Sequence, residues 1–276
     1  MTSLDGLRGY LALFVFLCHS TIWYFYLRNG HWTVPPSNLY AHFGQTGVVL
    51  FFMITGFLFF SKLLSSRGKE MDWGKLYVSR VLRLTPLYLF AMALLFIIVI
   101  ILSGSVLRDS PEALAGQLAA WLGFTVMGMP NINGVDGTFR ILAGVPWSLP
   151  YEWLFYFALP LVALLARVRV PKKYVVMSAL AIAGFVIAYD KMTSLVLFPV
   201  GMASAVLARD ERFKKLAASR AASVVIIACM VVAVFLFGVG VLREGGWRAW
   251  MILAVYFVES AVLTALAGVS FGQLIA

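Results

Sequence analysis

Charged residues are scarce in this sequence. Only 12% of its 276 residues are Asp, Glu, Lys or Arg, whereas 62% are hydrophobic. An average soluble domain is about a quarter charged and roughly half apolar, and a water-soluble core of this size cannot absorb so much apolar surface. The scarcity of charge therefore excludes a soluble globular enzyme, and the composition also excludes disordered and collagen-like chains.

Cysteine and histidine are also rare. The two cysteines, Cys18 and Cys229, both lie in apolar runs, so the composition excludes a disulfide framework and says nothing of the redox compartment. Three scattered histidines and two remote cysteines show no metal-ligand spacing, so we expect no metal site. Two of the histidines, His31 and His42, fall in a connector between apolar runs, and we interpret them as ordinary loop residues.

Long apolar runs dominate what is present. At about 20 apolar residues per crossing, they predict an all-α, polytopic transmembrane helical bundle of about eight to ten membrane helices. No repeat of fixed period and no low-complexity segment divides the chain, so we expect one membrane-embedded domain over residues 1–276. The runs are 9–27, 46–64, 86–104, 114–129, 147–166, 174–189, 194–208, 221–242 and 248–269.

Positive charge is concentrated between the runs. The chain has 22 Lys and Arg against 12 Asp and Glu, a net charge of +10. We attribute this excess to cytoplasmic connectors that orient the helices, and we expect no nucleic-acid partner. The basic stretches at 62–85, 167–173 and 209–220 are then cytoplasmic, as is the N-terminus. Three apolar runs, 86–104, 114–129 and 147–166, lie between the first two stretches, but two connectors on the same side of the membrane require an even number of crossings. We therefore predict that the run 114–129 is re-entrant or half-inserted.

The first apolar run carries two polar residues that matter for function. Arg8 and His19 are 11 residues apart, which places them within about 20° of one helix face and about 16 Å apart along it. They share this stripe with Asp5, Ala12 and Val15. Ionisable groups inside a membrane are costly and usually functional, and imidazole can act as a neutral base. The alternative is a histidine that only hydrogen-bonds a neighbouring helix.

Two arginines precede the third run. Arg80 and Arg83 are spaced i and i+3 on what we expect to be the amphipathic start of a helix, before Pro86. Guanidinium groups on one face suit phosphate recognition, and together with Lys75 they could hold a nucleotide or coenzyme tail. The alternative is a signal of membrane topology with contacts to lipid headgroups.

A polar stripe begins the fifth run. Ser148, Glu152 and Tyr156 repeat at i and i+4 and therefore share a helix face. The stripe could hold an acceptor hydroxyl or orient a partner histidine. The alternative is interfacial anchoring by aromatic residues plus one Glu–Arg pair. A second isolated carboxylate, Glu259, lies in the last run and could pair with a buried Arg.

Four ordered segments of the chain resemble the acyltransferase-3 family of integral membrane O-acyltransferases. The sequence LDGLRG at 4–9 followed by His19 is similar to the opening of that family, in which an Arg, ten residues and a His mark the first helix. The sequence FFMITGF at 51–57 is similar to its FF…SGF segment, with threonine where serine is usual. The sequence RVLR at 80–83 resembles its R-x-x-R segment, and 147–160 resembles its WSL…E…FY…P segment.

The resemblance implies transfer of an acyl group, often acetyl, from cytoplasmic acyl-coenzyme A to a hydroxyl of an envelope carbohydrate or glycolipid. It implies a lipid-embedded enzyme of the bacterial plasma membrane with no permanently bound cofactor. His19 would be the general base or help pass the acyl group across, and Glu152 would orient or neutralise the histidine or bind sugar hydroxyls. Coenzyme A would contact Arg8, Arg80 and Arg83, and the acceptor side would be lined by Ser148 and Tyr156.

The resemblance departs at the C-terminal end. The family's last helix carries a Ser-Tyr…Tyr-Leu…His signature that this sequence does not contain, so we expect the chain to lack that helix. A transporter or flippase is the rival class, because proton-coupled carriers also use isolated His and Glu residues in helices. No half-to-half repeat supports that class. A structural scaffold would explain the composition but not the ordered motifs.

Overall fold

The computed structural model of the chain describes residues 2–34, 36–188 and 193–217, together with positions 219, 221, 224, 228 and 232. These residues form α-helices and short 3-10 helices, and they contain no strand beyond two isolated bridges. The predicted all-α class is confirmed. Apart from the single positions, the predicted runs 221–242 and 248–269, with Cys229 and Glu259, lie outside the described residues.

Within the part of the chain that the structure describes, four helical segments are long and apolar enough to cross a membrane: Gly6–Asn29, Asn38–Ser65, Trp73–Leu102 and Val145–Leu165. They confirm a helical membrane bundle, and the total of eight to ten helices stays a prediction. The α-helices are α1 (Thr2–Asn29), α2 (Asn38–Ser65), α3 (Trp73–Leu102), α4 (Pro111–Leu122), α5 (Leu149–Leu165), α6 (Lys172–Ala188), α7 (Leu197–Leu207) and α8 (Glu211–Ala217). The 3-10 helices are Thr138–Leu142, Val145–Ser148 and Thr193–Val196.

Helix α4 is too short to cross a membrane. It has 12 residues, which span about 18 Å against a hydrocarbon thickness of about 30 Å. Its ends follow from the sequence: the Ser110 hydroxyl accepts a hydrogen bond from the Ala113 amide at 3.3 Å, Pro111 occupies the first turn, and Gly123 follows the last residue. The structure therefore agrees with the prediction that 114–129 is not a full crossing.

The contacts divide the chain into two compact units, residues 1–65 with 193–276 and residues 66–192. In the first unit α1 and α2 are antiparallel, and Gly44 and Gly47 let α2 approach Cys18 and Val15 closely. Helix α7 runs parallel to α2, and the two backbones meet at Gly56 and Gly201. Small residues at such a crossing allow close packing in membranes.

Basic side chains mark one end of the first unit. The Arg209 guanidinium, just after α7, donates to the Ser61 carbonyl at 2.7 Å and to the Ser65 hydroxyl at 2.6 Å. Because a cation near the C-terminus of a helix interacts favourably with the helix dipole, this arginine stabilises the C-terminus of α2. The ends of α2 and α7 therefore lie together, as the basic connectors predicted.

In the second unit α5 runs antiparallel to α3, and α6 antiparallel to α5. The Tyr77 ring of α3 stacks on Phe157 of α5 and on Tyr174 of α6, with both centroid distances 6.1 Å. The Ser178 hydroxyl of α6 donates to the Phe157 carbonyl at 2.6 Å. Aromatic packing therefore holds these three helices together, each in contact with the other two.

The two connectors of the second unit lie side by side. The Arg67 Nε donates to the Ala166 carbonyl at 3.3 Å, and Glu70 forms a parallel bridge with Arg169. Between these two connectors the chain contains only two long helices, α3 and α5. Two crossings are the even number that the charge pattern required. The stretch 62–85 is not one connector, however, because α3 begins at Trp73 and already carries the basic residues from Lys75 onward.

Residues 103–148, called here the α4 region, pack against the C-terminal half of α3. Asn133 organises its polar side: its Oδ1 accepts from the amides of Arg108 and Asp109 at 2.8 and 3.3 Å, and its Nδ2 donates to the Val106 carbonyl at 2.8 Å. The backbone φ of Asn133 is +50°, a conformation that asparagine tolerates better than most residues. The apolar side of the region shares one buried cluster with α3, formed by Tyr88, Met92, Leu95, Val99, Trp121 and Ile132.

Candidate active site

The first group of candidate residues lies on α1, in the first unit. His19 is half-buried, and its Nδ1 atom is buried without a hydrogen-bond partner among the described residues. A buried polar atom without a partner is costly, so this nitrogen is a candidate for contact with a substrate. Arg8 is also half-buried, and its guanidinium carbon lies 6.0 Å from the centroid of the Phe51 ring on α2.

The predicted stripe on α1 divides into two kinds of position. Val15 packs against α2, because a Cβ atom on Gly47 would lie 2.6 Å from Val15 Cγ2. Ala12 is exposed, and it lies about 20° from the azimuth of His19. Of the two, only Ala12 therefore leaves space beside the helix, whereas Val15 belongs to the contact between α1 and α2.

The second group of candidates lies in the second unit, where three of the predicted residues meet. The Tyr156 hydroxyl of α5 donates to Glu152 Oε1 one turn earlier, and the Arg80 side chain of α3 donates to the same hydroxyl. Tyr156 is buried, while Arg80 and Glu152 are half-buried. The structure therefore joins residues that the sequence had assigned separately to donor binding, catalysis and the acceptor side.

Local structure explains where this cluster forms. Glu152 lies in the first turn of α5, where a carboxylate is stabilised by the helix dipole. Tyr156 lies four residues later and therefore on the same face of the helix. Tyr77, one turn before Arg80 on α3, donates to the Tyr156 carbonyl at 3.3 Å and fixes the two helices against each other.

Two predicted site residues stand apart from this cluster. Arg83 is exposed, one turn beyond Arg80 on α3. Ser148 is half-buried at the end of the 3-10 helix Val145–Ser148, and its hydroxyl faces the Val145 carbonyl at 3.5 Å, at the long limit for a hydrogen bond. Of the three residues in the predicted stripe, Glu152 and Tyr156 therefore contact each other, whereas the Ser148 hydroxyl faces a carbonyl of its own turn.

His42 corrects a sequence interpretation. It is not a loop residue: α2 begins at Asn38, and His42 is buried with Thr46 Oγ1 3.2 Å from its Nε2. The apolar run alone suggested a later start, but the Ala41 amide bonds the Ser37 carbonyl at 3.1 Å. Pro36, Ser37 and Asn38 form a helix-start pattern that could have revealed this. His31 lies in the loop, exposed, as predicted.

These observations define a helical membrane protein with two half-buried ionisable groups, Arg8 and His19, on its first helix, and an Arg–Tyr–Glu cluster around the buried Tyr156 on two other helices. A family model described as an acyltransferase domain, that of the acyltransferase-3 family, matches residues 1–274. The chain belongs to this family and is a membrane acyltransferase. Neither a curated protein nor a solved structure matches it.

Proposed function

We propose that the chain is an O-acyltransferase that moves an acyl group, acetyl in the first instance, from acyl-coenzyme A to a hydroxyl of a cell-envelope carbohydrate or glycolipid. The observation that carries this proposal is the buried Nδ1 of His19, which has no hydrogen-bond partner among the described residues and lies on a membrane helix of an acyltransferase-3 chain. A hydroxyl is a poor nucleophile unless a base removes its proton.

In the proposed reaction His19 takes the proton from the acceptor hydroxyl. The hydroxyl oxygen attacks the thioester carbonyl carbon, a C–O bond forms and the C–S bond breaks. The sulfur leaves as the coenzyme A thiolate and receives the proton from the imidazolium. Atoms and charges therefore balance with no group beyond the two substrates, and His19 returns to its neutral state.

The donor side of the proposal rests on positive charge. Coenzyme A is an anion, and guanidinium groups bind phosphates through paired hydrogen bonds. Arg8, Arg80 and Arg83 were predicted for this role. The basic ends of both units are proposed to face the cytoplasm of a bacterial cell, with the N-terminus on the same side, because basic connectors are retained there.

The test compares cells that carry wild type, His19→Ala or His31→Ala, and reads acyl groups on envelope glycans by mass spectrometry. His31 is the matched control, because it is an exposed loop residue. We expect His19→Ala to lose glycan acylation at least about 100-fold, as expected of a base that contributes about 10²–10⁴ in rate, and His31→Ala to keep it. Acylation above about a tenth of wild type in His19→Ala would remove the base assignment.

A second measurement separates the enzyme from a carrier. Coenzyme A should raise the unfolding temperature of the full chain in detergent, because a ligand that binds the folded state stabilises it. A transporter of glycans has no reason to bind coenzyme A. Unchanged glycans together with no thermal response to coenzyme A would contradict the proposed function.

A further inference from the structure

The Tyr156 hydroxyl connects two charged side chains of the second unit. A phenol has a single proton to donate, and Tyr156 donates it to Glu152. Its oxygen is then left as the acceptor for the Arg80 side chain. Tyr156 is 3% exposed and its two charged partners are half-buried, so both hydrogen bonds are partly shielded from solvent, where bonds to ionised groups are stronger than in water.

The helix pair around this cluster holds Tyr156 at two points. Tyr77 binds its main-chain carbonyl at 3.3 Å, and Arg80, three residues later on α3, binds its side chain. The Tyr77 ring also stacks on Phe157, the next residue of α5. The Tyr156 ring has little freedom under these contacts, and the Glu152 carboxylate takes its orientation from the Tyr156 hydroxyl.

The two arginines of the R-x-x-R segment differ in their surroundings. Arg80 is half-buried and already hydrogen-bonded to Tyr156, whereas Arg83 is exposed. A phosphate at Arg80 could use only the N–H groups that Tyr156 does not occupy. At Arg83 it would meet an exposed guanidinium fork, the geometry that suits bidentate recognition of phosphate.

We infer that Arg80 and Arg83 have different roles. Arg80 is a positioning residue that acts through Tyr156 to orient the Glu152 carboxylate, and Arg83 contacts the phosphates of the donor. The inference deepens the proposed function and rests on it for the identity of the donor. It also reassigns Tyr156 from the acceptor side to the support of Glu152.

The test measures kcat, KM for acetyl-coenzyme A and Kd for coenzyme A on the full chain in lipid nanodiscs. Tyr156→Phe keeps the ring and removes only the hydroxyl, so we expect kcat to fall about tenfold or more, with the Kd for coenzyme A within about twofold of wild type. Arg83→Ala should raise that Kd and the KM about tenfold or more. Leu82→Ala, an exposed neighbour on α3, is the control and should change none of the three constants.

Arg80 variants decide between the two roles. Arg80→Ala should resemble Tyr156→Phe, with a lower kcat and little change in the Kd for coenzyme A. Arg80→Lys should recover part of the lost kcat, because lysine keeps the charge and one donor. Combining Arg80→Ala with Tyr156→Phe should lower kcat no further than Arg80→Ala alone, since residues that act through one network are not additive.

The results that overturn the inference are distinct from those that overturn the function. If Arg80→Ala weakens coenzyme A binding as much as Arg83→Ala and Tyr156→Phe keeps the wild-type kcat, the division of roles is wrong while the acyltransferase function stands. If the wild-type protein binds no coenzyme A, the proposed function fails, and the donor role of Arg83 fails with it.

Discussion

At the scale of single residues, Tyr88 illustrates how a membrane helix supports a shorter one. Its hydroxyl donates to the carbonyl of Trp121, and both residues are buried. Trp121 lies in the last turn of α4, where carbonyls have no intrahelical partner. A side chain from α3 thus satisfies a group that α4 cannot satisfy itself.

We therefore expect Tyr88→Phe to lower the free energy of unfolding by about 1–3 kcal/mol, the cost of a buried carbonyl left without its donor. The measurement is thermal unfolding of the full chain in detergent. Tyr10→Phe is the control, because Tyr10 is 64% exposed, and it should leave the unfolding temperature unchanged. Equal unfolding temperatures for wild type and Tyr88→Phe would show that this hydrogen bond contributes nothing to stability.

At the scale of helices, the crossing of α2 and α7 depends on glycine. A Cβ atom on Gly201 would collide with the Met53 carbonyl, and one on Gly56 with the Phe198 carbonyl. Backbone atoms cannot move aside as flexible side chains can. Any larger residue at Gly201 must push the two helices apart.

This close approach predicts that Gly201→Ala destabilises the chain by about 1–3 kcal/mol through overpacking. Gly184→Ala is the matched control within a helix, because a Cβ atom there meets nothing within 4 Å among the described residues. That control should be neutral or slightly stabilising, since alanine is the better helix former by about 1 kcal/mol. The measurement is thermal unfolding of both variants. If Gly201→Ala unfolds at the same temperature as Gly184→Ala, the helix crossing tolerates a methyl group and the prediction is wrong.

At the scale of the whole molecule, the short α4 fixes the membrane topology. The connectors around Lys69 and Arg169 lie side by side, and α3 and α5 are the long helices between them. With two crossings between the connectors, both face one side of the membrane. With three, they would face opposite sides.

Cysteine labelling can test this topology. In a chain whose own cysteines have been replaced, Lys69→Cys and Arg169→Cys should react with a membrane-impermeant maleimide from the same side. Asn131→Cys, in the α4 region, is exposed and should react from the opposite side. Inside-out and right-side-out vesicles provide the two sides. Labelling of Lys69→Cys and Arg169→Cys from opposite sides would require α4 to cross and would contradict the structure.

Much of the fold could be predicted because the membrane imposes it. Backbone groups in lipid must bond within their own segment, so long apolar runs can only be helices. Helix ends were less predictable. The apolar runs placed the starts of α2 and α3 too late, because each helix begins with polar turns, Asn38–Thr46 and Trp73–Arg83, before its apolar part. The failure of α4 to cross was predictable only by combining its length with the charges of the connectors.

Candidate residues could be predicted individually, but not their partners. The sequence by itself determined the all-α membrane class, the family, and the positions of His19, Arg80, Glu152 and Tyr156, because hydropathy, spacing and short motifs are local properties of a chain. Only the tertiary structure decided that Arg80 bonds Tyr156 while Arg83 stays exposed, and that Val15 packs against Gly47. These contacts join different helices, and the register and rotation of packed helices are set by side-chain fit across the whole interface rather than by any one segment.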